Sequence, residues 1–264
     1  MPIQLIATDI DGTFIDHQSH YDRAWFNQLH QRMLAHQIRF VIASGNQRAH
    51  LEAFFPDDDD ILYIAENGAY VADAQHTYAL SHFQAADVAA LVKYLAAMPD
   101  LHFSLCTPKA AYIRSSEPAI NKQITRQFCP DTREVTSLLD HTESVVKLAL
   151  QCPPEQTPAL VAQLKARFGD VAHPTSSGRG SIDVIQPGLD KAYGLNILSQ
   201  QLAIPFKNMV AFGDGGNDVT MLEAVGCGVA MANAPAAIKA HADAVTTSCD
   251  EQGVLAWLDQ HLPQ

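Results

Sequence analysis

The chain of 264 residues carries a formal net charge of −12 and is 47% hydrophobic, which suits a globular protein with one large α/β domain or one domain holding a smaller insert. That acidity argues against nucleic acid or an anionic membrane as partner, so a phosphate-bearing substrate must meet a field reversed locally by a metal ion, Lys or Arg. No apolar run is long enough to span a bilayer, no leader-like segment opens the chain, and the five scattered cysteines include no Cys-x-x-Cys pair; a reducing cytoplasm is expected, without zinc site or disulfide framework.

Residues 3–7 read as a buried strand that ends in Asp9-Ile10-Asp11-Gly12-Thr13. Side chains repeat every second residue on a strand, so Asp9 and Asp11 can face one side at its carboxyl end, where Gly12 lets the chain turn. Two carboxylates that close are costly to keep ionised without a cation. A metal site, an acid–nucleophile pair, or both are open, beside the plain reading of Asp-Gly as a turn. An amphipathic helix is predicted over 21–36, with Trp25, Phe26, Leu29 and Met33 near helical spacing. The next strand, 38–43, stops at Ser44-Gly45-Asn46. A short helix over 47–55 precedes four aspartates at 57–60, which read as a solvated loop because consecutive side chains cannot converge on one ion. Strand 61–65 passes through Glu66-Asn67-Gly68 into a hairpin-like return at 70–72. This alternation predicts a parallel sheet with helices on its faces and ligands beyond the carboxyl ends of its strands. Asp9, Asp11, Ser44 and Asn67 fall at that edge.

From about residue 85 the texture changes. Helices over 85–98, 117–128 and 155–168 are interspersed with strands over 102–106, 111–114, 145–151 and 181–186, the pattern of a separate α+β unit placed at 83–188. Within it, Thr175-Ser176-Ser177-Gly178-Arg179-Gly180 is a small-residue loop, either a plain turn or a carrier of Arg179 toward a ligand. The first pattern then resumes with helix 191–202 and strand 209–212, which ends in Gly213-Asp214-Gly215-Gly216-Asn217-Asp218. Glycines there allow close approach to an ion or phosphate, and carboxylates are favoured at the mouth of the helix over 219–225. Strands at 228–231 and 245–246 and helices over 235–242 and 251–262 complete the core, which spans 1–82 and 189–264.

Asp-x-Asp-Gly-Thr, a strand ending in Ser-Gly, a lone Lys191 and Gly-Asp-x-x-Asn-Asp follow one another in that order, with an insert between the second and third. The set resembles the haloacid dehalogenase superfamily and, more closely, its Cof-type (subfamily IIB) sugar phosphatases. The strings around Ser44, Asn67 and residues 182–191 strengthen the likeness, which covers the whole chain. The resemblance implies a Rossmann-like α/β core with an α+β cap, and a Mg²⁺-dependent phosphatase that hydrolyses sugar phosphates through a phosphoaspartyl intermediate. It implies Asp9 as nucleophile and metal ligand, and Asp11 as general acid and base that gives the metal its backbone carbonyl. Asp214 would be the third ligand, with Asp218 in support, while Ser44, Gly45, Lys191 and Asn217 would hold the phosphoryl oxygens. A dianionic phosphomonoester admits a carboxylate nucleophile only if charge is neutralised, as a hard divalent ion would do. One departure is Asn46, where many relatives have Arg. A phosphomutase on the same scaffold is the alternative; a receiver-type signalling protein would be shorter and lack the insert. These features leave the particular sugar phosphate and the oligomeric state open.

Overall fold

The computed structural model describes residues 2–263 other than Asp57, Pro99 and Arg179, with Ser177 and Gly178 described by backbone alone. Among the described residues, eight strands form a core sheet in the order β14-β13-β12-β1-β2-β3-β4-β5. Its first six are parallel: β14 (Ala244–Val245), β13 (Cys227–Ala230), β12 (Met209–Gly213), β1 (Leu5–Thr8), β2 (Arg39–Ala43) and β3 (Leu62–Ala65). β4 (Tyr70–Ala72) and β5 (Thr77–Leu80) extend the sheet antiparallel at one edge.

Alternation along β1 shows why both faces must be covered. Ile6 packs into a cluster with Phe26, Leu29 and Met33 of α1 (Arg23–Ala35), Leu51 of α2 (Arg48–Glu52) and Leu255 and Leu258 of α9 (Gly253–His261). Leu5 and Ala7 point the other way, against Leu195 and Leu198 of α6 (Lys191–Leu202) and Met221 and Leu222 of α7 (Val219–Ala224). Strands apolar on both sides are what a doubly covered parallel sheet requires. Two helices start on side-chain caps: Asp22 accepts from the Trp25 amide at 2.9 Å and Asp190 from the Tyr193 amide at 2.7 Å. α8 (Ala236–Lys239) is a single turn before β14. The acidic run lies beside α1, with Asp58 and Asp60 oxygens 3.3 and 3.1 Å from the two ring nitrogens of buried His30.

A second sheet, in the order β10-β11-β9-β6-β7-β8, is inserted between β5 and α6. Its strands are β6 (His102–Cys106), β7 (Ala111–Arg114), β8 (Thr132–Val135), β9 (Lys147–Gln151), β10 (His173–Gly178) and β11 (Ser181–Ile185). α3 (Ala85–Leu95) and α5 (Thr157–Phe168) cover one face through Leu91, Leu95 and Leu164 against Phe103, Leu148, Leu150 and Ile182. α4 (Ala119–Phe128) joins β7 to its parallel neighbour β8. The stretch expected as a small-residue loop is instead largely strand: β10 pairs antiparallel with β11, Thr175 opposite Asp183. Ladder hydrogen bonds need only backbone, so a polar edge strand leaves little apolar pattern to read. Arg179 lies outside the described residues. A small cluster, in which Ala69 and Leu189 of the core meet Cys106, Ala111, Cys129 and Val146, joins the two units.

Candidate active site

The carboxyl edge of the core sheet gathers three acids and one ammonium. Asp9 follows β1, and Asp214 and Asp218 follow β12, its hydrogen-bonded neighbour. Lys191, the first residue of α6, reaches between them: its Nζ is 2.6 Å from Asp9 Oδ1 and 2.5 Å from Asp218 Oδ1. Lys191 and Asp218 are both 0% exposed and Asp9 is 7% exposed, so these charges interact with little solvent screening.

Asp218 is fully used. Its second oxygen accepts from the amides of Asp214 at 2.9 Å and Gly215 at 2.8 Å, clamping the glycine-rich turn. Thr13 donates to Asp214 Oδ1 at 3.1 Å and Asn233 lies 3.4 Å from Asp214 Oδ2 while donating to the Gly12 carbonyl at 2.8 Å. Gly12 has φ +78°, and a Cβ there would sit 2.7 Å from Asp214 Oδ2. Glycine alone lets the first acidic turn lie against the second.

Burial raises the Asp9 carboxyl well above the usual range, opposed by Lys191 and reinforced by Asp218, Asp214 and Asp11. Asp214 is pushed up to about 6, first by burial and then by Asp218. Lys191 is displaced upward too: burial alone would lower it, and the two carboxylates outweigh that. Oxygens of Asp9, Asp214 and Asp218 lie within 4.8 Å of one another, and one ammonium balances only one of the three charges. The excess of hard, anionic oxygen donors fits a hard divalent cation such as Mg²⁺. Since Asp218 is committed to Lys191 and the turn, Asp9 and Asp214 are the carboxylates left to hold it.

The other residues singled out in the sequence lie around this cluster in two groups. Asp11 is exposed and accepts from Asn46 Nδ2 at 2.6 Å. Ser44, buried at the end of β2, accepts from the Asn46 amide through Oγ at 3.0 Å. Asn217 donates to Asn67 Oδ1 at 3.0 Å, and the Asn67 amide donates to the Ser44 carbonyl at 3.0 Å. Asn67 itself is left-handed, φ 53° and ψ 39°, a region Asn tolerates better than most residues.

Sequence reasoning missed a buried network that runs from here into the second sheet. Asn67 Nδ2 donates to Asp183 Oδ2 on β11 at 2.8 Å. Lys147, on β9, lies 3.4 Å from Asp183 Oδ1 and 2.8 Å from Glu66 Oε2, and donates to the Gly45 carbonyl. A Cβ on Gly45 would approach Asp183 Oδ2 to 2.8 Å. Gln47 also crosses the boundary, donating to the Thr107 carbonyl at 2.7 Å and accepting from the Cys129 thiol at 2.8 Å. The available signal was one acid, Asp183, between Ile182 and Val184, and one lysine, Lys147, between Val146 and Leu148.

A family profile described as haloacid dehalogenase-like hydrolase matches residues 6–258, and the chain belongs to that family. It is a phosphatase with the core-plus-cap fold of that family. It is 34% identical, over 99% of this chain and 97% of the relative, to the 5-amino-6-(5-phospho-D-ribitylamino)uracil phosphatase YbjI of Escherichia coli. The structure of SMU.1108c from Streptococcus mutans superposes with a TM-score of 0.95 at 31% identity, covering 98% of this chain and 99% of that one. The subclass IIB sugar phosphatase BT4131 shares the fold, with a TM-score of 0.84 at 22% identity and coverage of 97% and 98%. Among the described residues no helix is long and apolar enough to cross a membrane.

Proposed function

We propose that the chain is a Mg²⁺-dependent phosphomonoesterase that hydrolyses phosphorylated sugars or sugar alcohols through a phosphoaspartyl intermediate on Asp9. The observation that carries this reading is the Lys191 ammonium, wholly buried between Asp9 and Asp218 at 2.6 and 2.5 Å beside Asp214. The ammonium orients Asp9 Oδ1 and leaves the other oxygen to attack phosphorus. Asp9, Asp214 and the Asp11 carbonyl would hold Mg²⁺, which would supply positive charge for the phosphoryl oxygens. Ser44, the Gly45 amide, Lys191 and Asn217 hold those oxygens as charge redistributes. Asp11, exposed and steadied by Asn46, protonates the departing sugar oxygen and then takes a proton from the water that releases phosphate. Asp218 acts through Lys191 and the turn. Residues 1–82 and 189–264 form the catalytic core in this reading, and 83–188 form the cap.

The E. coli relative acts on a phosphorylated ribityl compound, which supports extending the substrate class from sugars to sugar alcohols. Small phosphorylated metabolites and five cysteines without a disulfide among them agree with a cytoplasmic setting. Phosphate release from a panel of phosphomonoesters tests the reading. Chelator should abolish activity, Mg²⁺ should restore it, and Asp9→Asn should be inert without any covalent phosphoenzyme. Full turnover in chelator after exhaustive dialysis would sink the metal assignment.

A further inference from the structure

α3 and α5 cover one face of the second sheet. On the other, between the sheet and α4, lies a cavity of about 110 Å³. Its sheet wall includes Cys106, Ala111, Ile113 and Ala149, and its helix wall Asn121, Ile124 and Phe128. At its core end the cavity reaches Asn46, Gln47 and Glu66. Asn46 is the residue bonded to Asp11 at 2.6 Å, so the cavity opens beside the carboxylate to which the reading above gives the leaving oxygen. A group departing from phosphorus is directed here.

The lining narrows what that group carries. Lys147 is engaged by Glu66, Asp183 and the Gly45 carbonyl. His102, at the far end, lies 2.6 Å from Glu117. Both basic side chains among the described lining residues are thus already engaged by carboxylates, and neither is available for a second anionic group. Much of the exposed wall is carbon, with Ser104, Thr125, Gln151 and Ser181 among it, so a hexose, with a hydroxyl on nearly every carbon, would lose more hydrogen bonds to water than a ring with polar groups on its rim alone. The side-chain nitrogen of Asn121 is buried and has no partner among the described residues. It is a donor awaiting an acceptor.

α4 supports the same conclusion. Ile120, Ile124 and Phe128 recur at four-residue spacing, yet no residue of this helix is buried, and Ile120 and Phe128 are 60% and 43% exposed. An amphipathic helix whose apolar side is left open is short of a partner on that side. The volume is of the order of the ~150 Å³ cavity that takes up a single benzene ring.

We propose that this cavity receives a planar, uncharged heteroaromatic ring at the far end of the leaving group, with Ile124 and Phe128 against its face and Asn121 donating to an acceptor on its rim. The proposal rests on the phosphomonoesterase reading and names the part of the substrate that reading leaves open. Asn121, Ile124 and Phe128 become specificity residues remote from the phosphoryl chemistry.

The test uses the Mg²⁺-loaded enzyme with two substrates, ribitol 5-phosphate and the same phosphate carrying an aminouracil ring through an amine at carbon 1. The ring-bearing compound should be preferred in kcat/KM by about tenfold or more. Ile124→Asp and Asn121→Ala should each cut kcat/KM for that compound, by about tenfold and about fivefold, and leave ribitol 5-phosphate within about twofold. Equal turnover of both substrates, unmoved by either variant, overturns the ring site while the phosphatase reading stands. If neither phosphate is hydrolysed, the proposed sugar-alcohol phosphate class fails. The ring site is then judged by calorimetry with the dephosphorylated ribitylaminouracil: binding weakened by Ile124→Asp supports it, and no binding overturns it.

Discussion

Asp183 of β11 accepts a hydrogen bond from Asn67 of the core at 2.8 Å, and Asn67 in turn accepts from Asn217 at 3.0 Å. One amide thereby connects the glycine-rich turn after β12 to the inserted sheet. Asp183 is 6% exposed and also faces Lys147 at 3.4 Å. Asp183→Ala should cost about 1–3 kcal/mol, because it leaves buried donors unmatched, whereas Asp183→Asn keeps an acceptor for Asn67 and should cost less. Denaturant titration of both variants checks this ranking. Equal stability of wild type and Asp183→Ala would show that the contact holds nothing together.

Lys191→Met removes the only ammonium in hydrogen-bonding contact with Asp9 and Asp218 among the described residues. Breaking one side of a buried ionic cluster costs about 3–5 kcal/mol, so the variant should be inactive and markedly less stable at neutral pH. Burial already raises the Asp9 carboxyl, and the variant removes the lysine that opposes that rise, so the penalty from Asp9 is full above its folded value and fades as pH falls through it. Adding Asp9→Asn should recover part of the loss. A double variant no more stable than Lys191→Met would contradict the charge argument.

Metal-free protein should gain stability on mild acidification. Asp214 is raised to about 6, chiefly by burial and by Asp218, against an unfolded value near 4. A raised acid weakens the fold above its folded pKa, and that cost disappears as pH drops from about 6 to about 4. Asp214→Asn, neutral throughout, should be more stable than wild type by roughly 1–3 kcal/mol at pH 7–8 and no more stable near pH 4. The same variant should lose Mg²⁺ affinity by calorimetry. A constant gap between the two proteins across that window would refute this account.

Asp11 and Asp9 separate by leaving group. A sugar alkoxide needs a proton as the P–O bond breaks, while an activated aryl oxide leaves without one. Asp11→Asn should slow phosphoaspartate formation severely with sugar phosphates and mildly with an activated aryl phosphate. Release of phosphate should then be slow, so rapid quench with the aryl substrate should give a burst of about one alcohol per site. Equal slowing on both substrates without a burst would confine Asp11 to holding the metal.

Much of the core was legible because its strands are apolar runs ending at Asp, Ser-Gly, Glu-Asn-Gly or Gly-Asp, and β1, β2, β3 and β12 lie within two residues of where those runs predict them. Strands β5, β8 and β10 escaped notice for a common reason. Thr77–Leu80 has no buried residue, Thr132–Val135 carries two charged residues, and His173–Gly178 is small and polar. Such edge strands are held by backbone pairing, which leaves weak traces in side-chain pattern. The acids of the site announced themselves by spacing along the chain. Their supports did not: Asn67 and Asp183 are 116 positions apart, and Lys147 and Gly45 are 102 apart. Asp218, expected to support a metal through water or hydrogen bonds, bonds Lys191 and the turn amides, partners that its place in the chain does not reveal.

The contact between Cys129 and Gln47 makes the inserted unit its own timekeeper. Cys129 belongs to that unit and its thiol donates to a core side chain, while burial pushes it up to about 11. At neutral pH only about one thiol in ten thousand is then the reactive thiolate. Whenever the two units part, this sulfur loses Gln47 and meets water, and its ionisation returns toward that of an ordinary cysteine. Its alkylation rate is therefore a count of separations, kept without any added label, and a ligand that holds the units together should slow it.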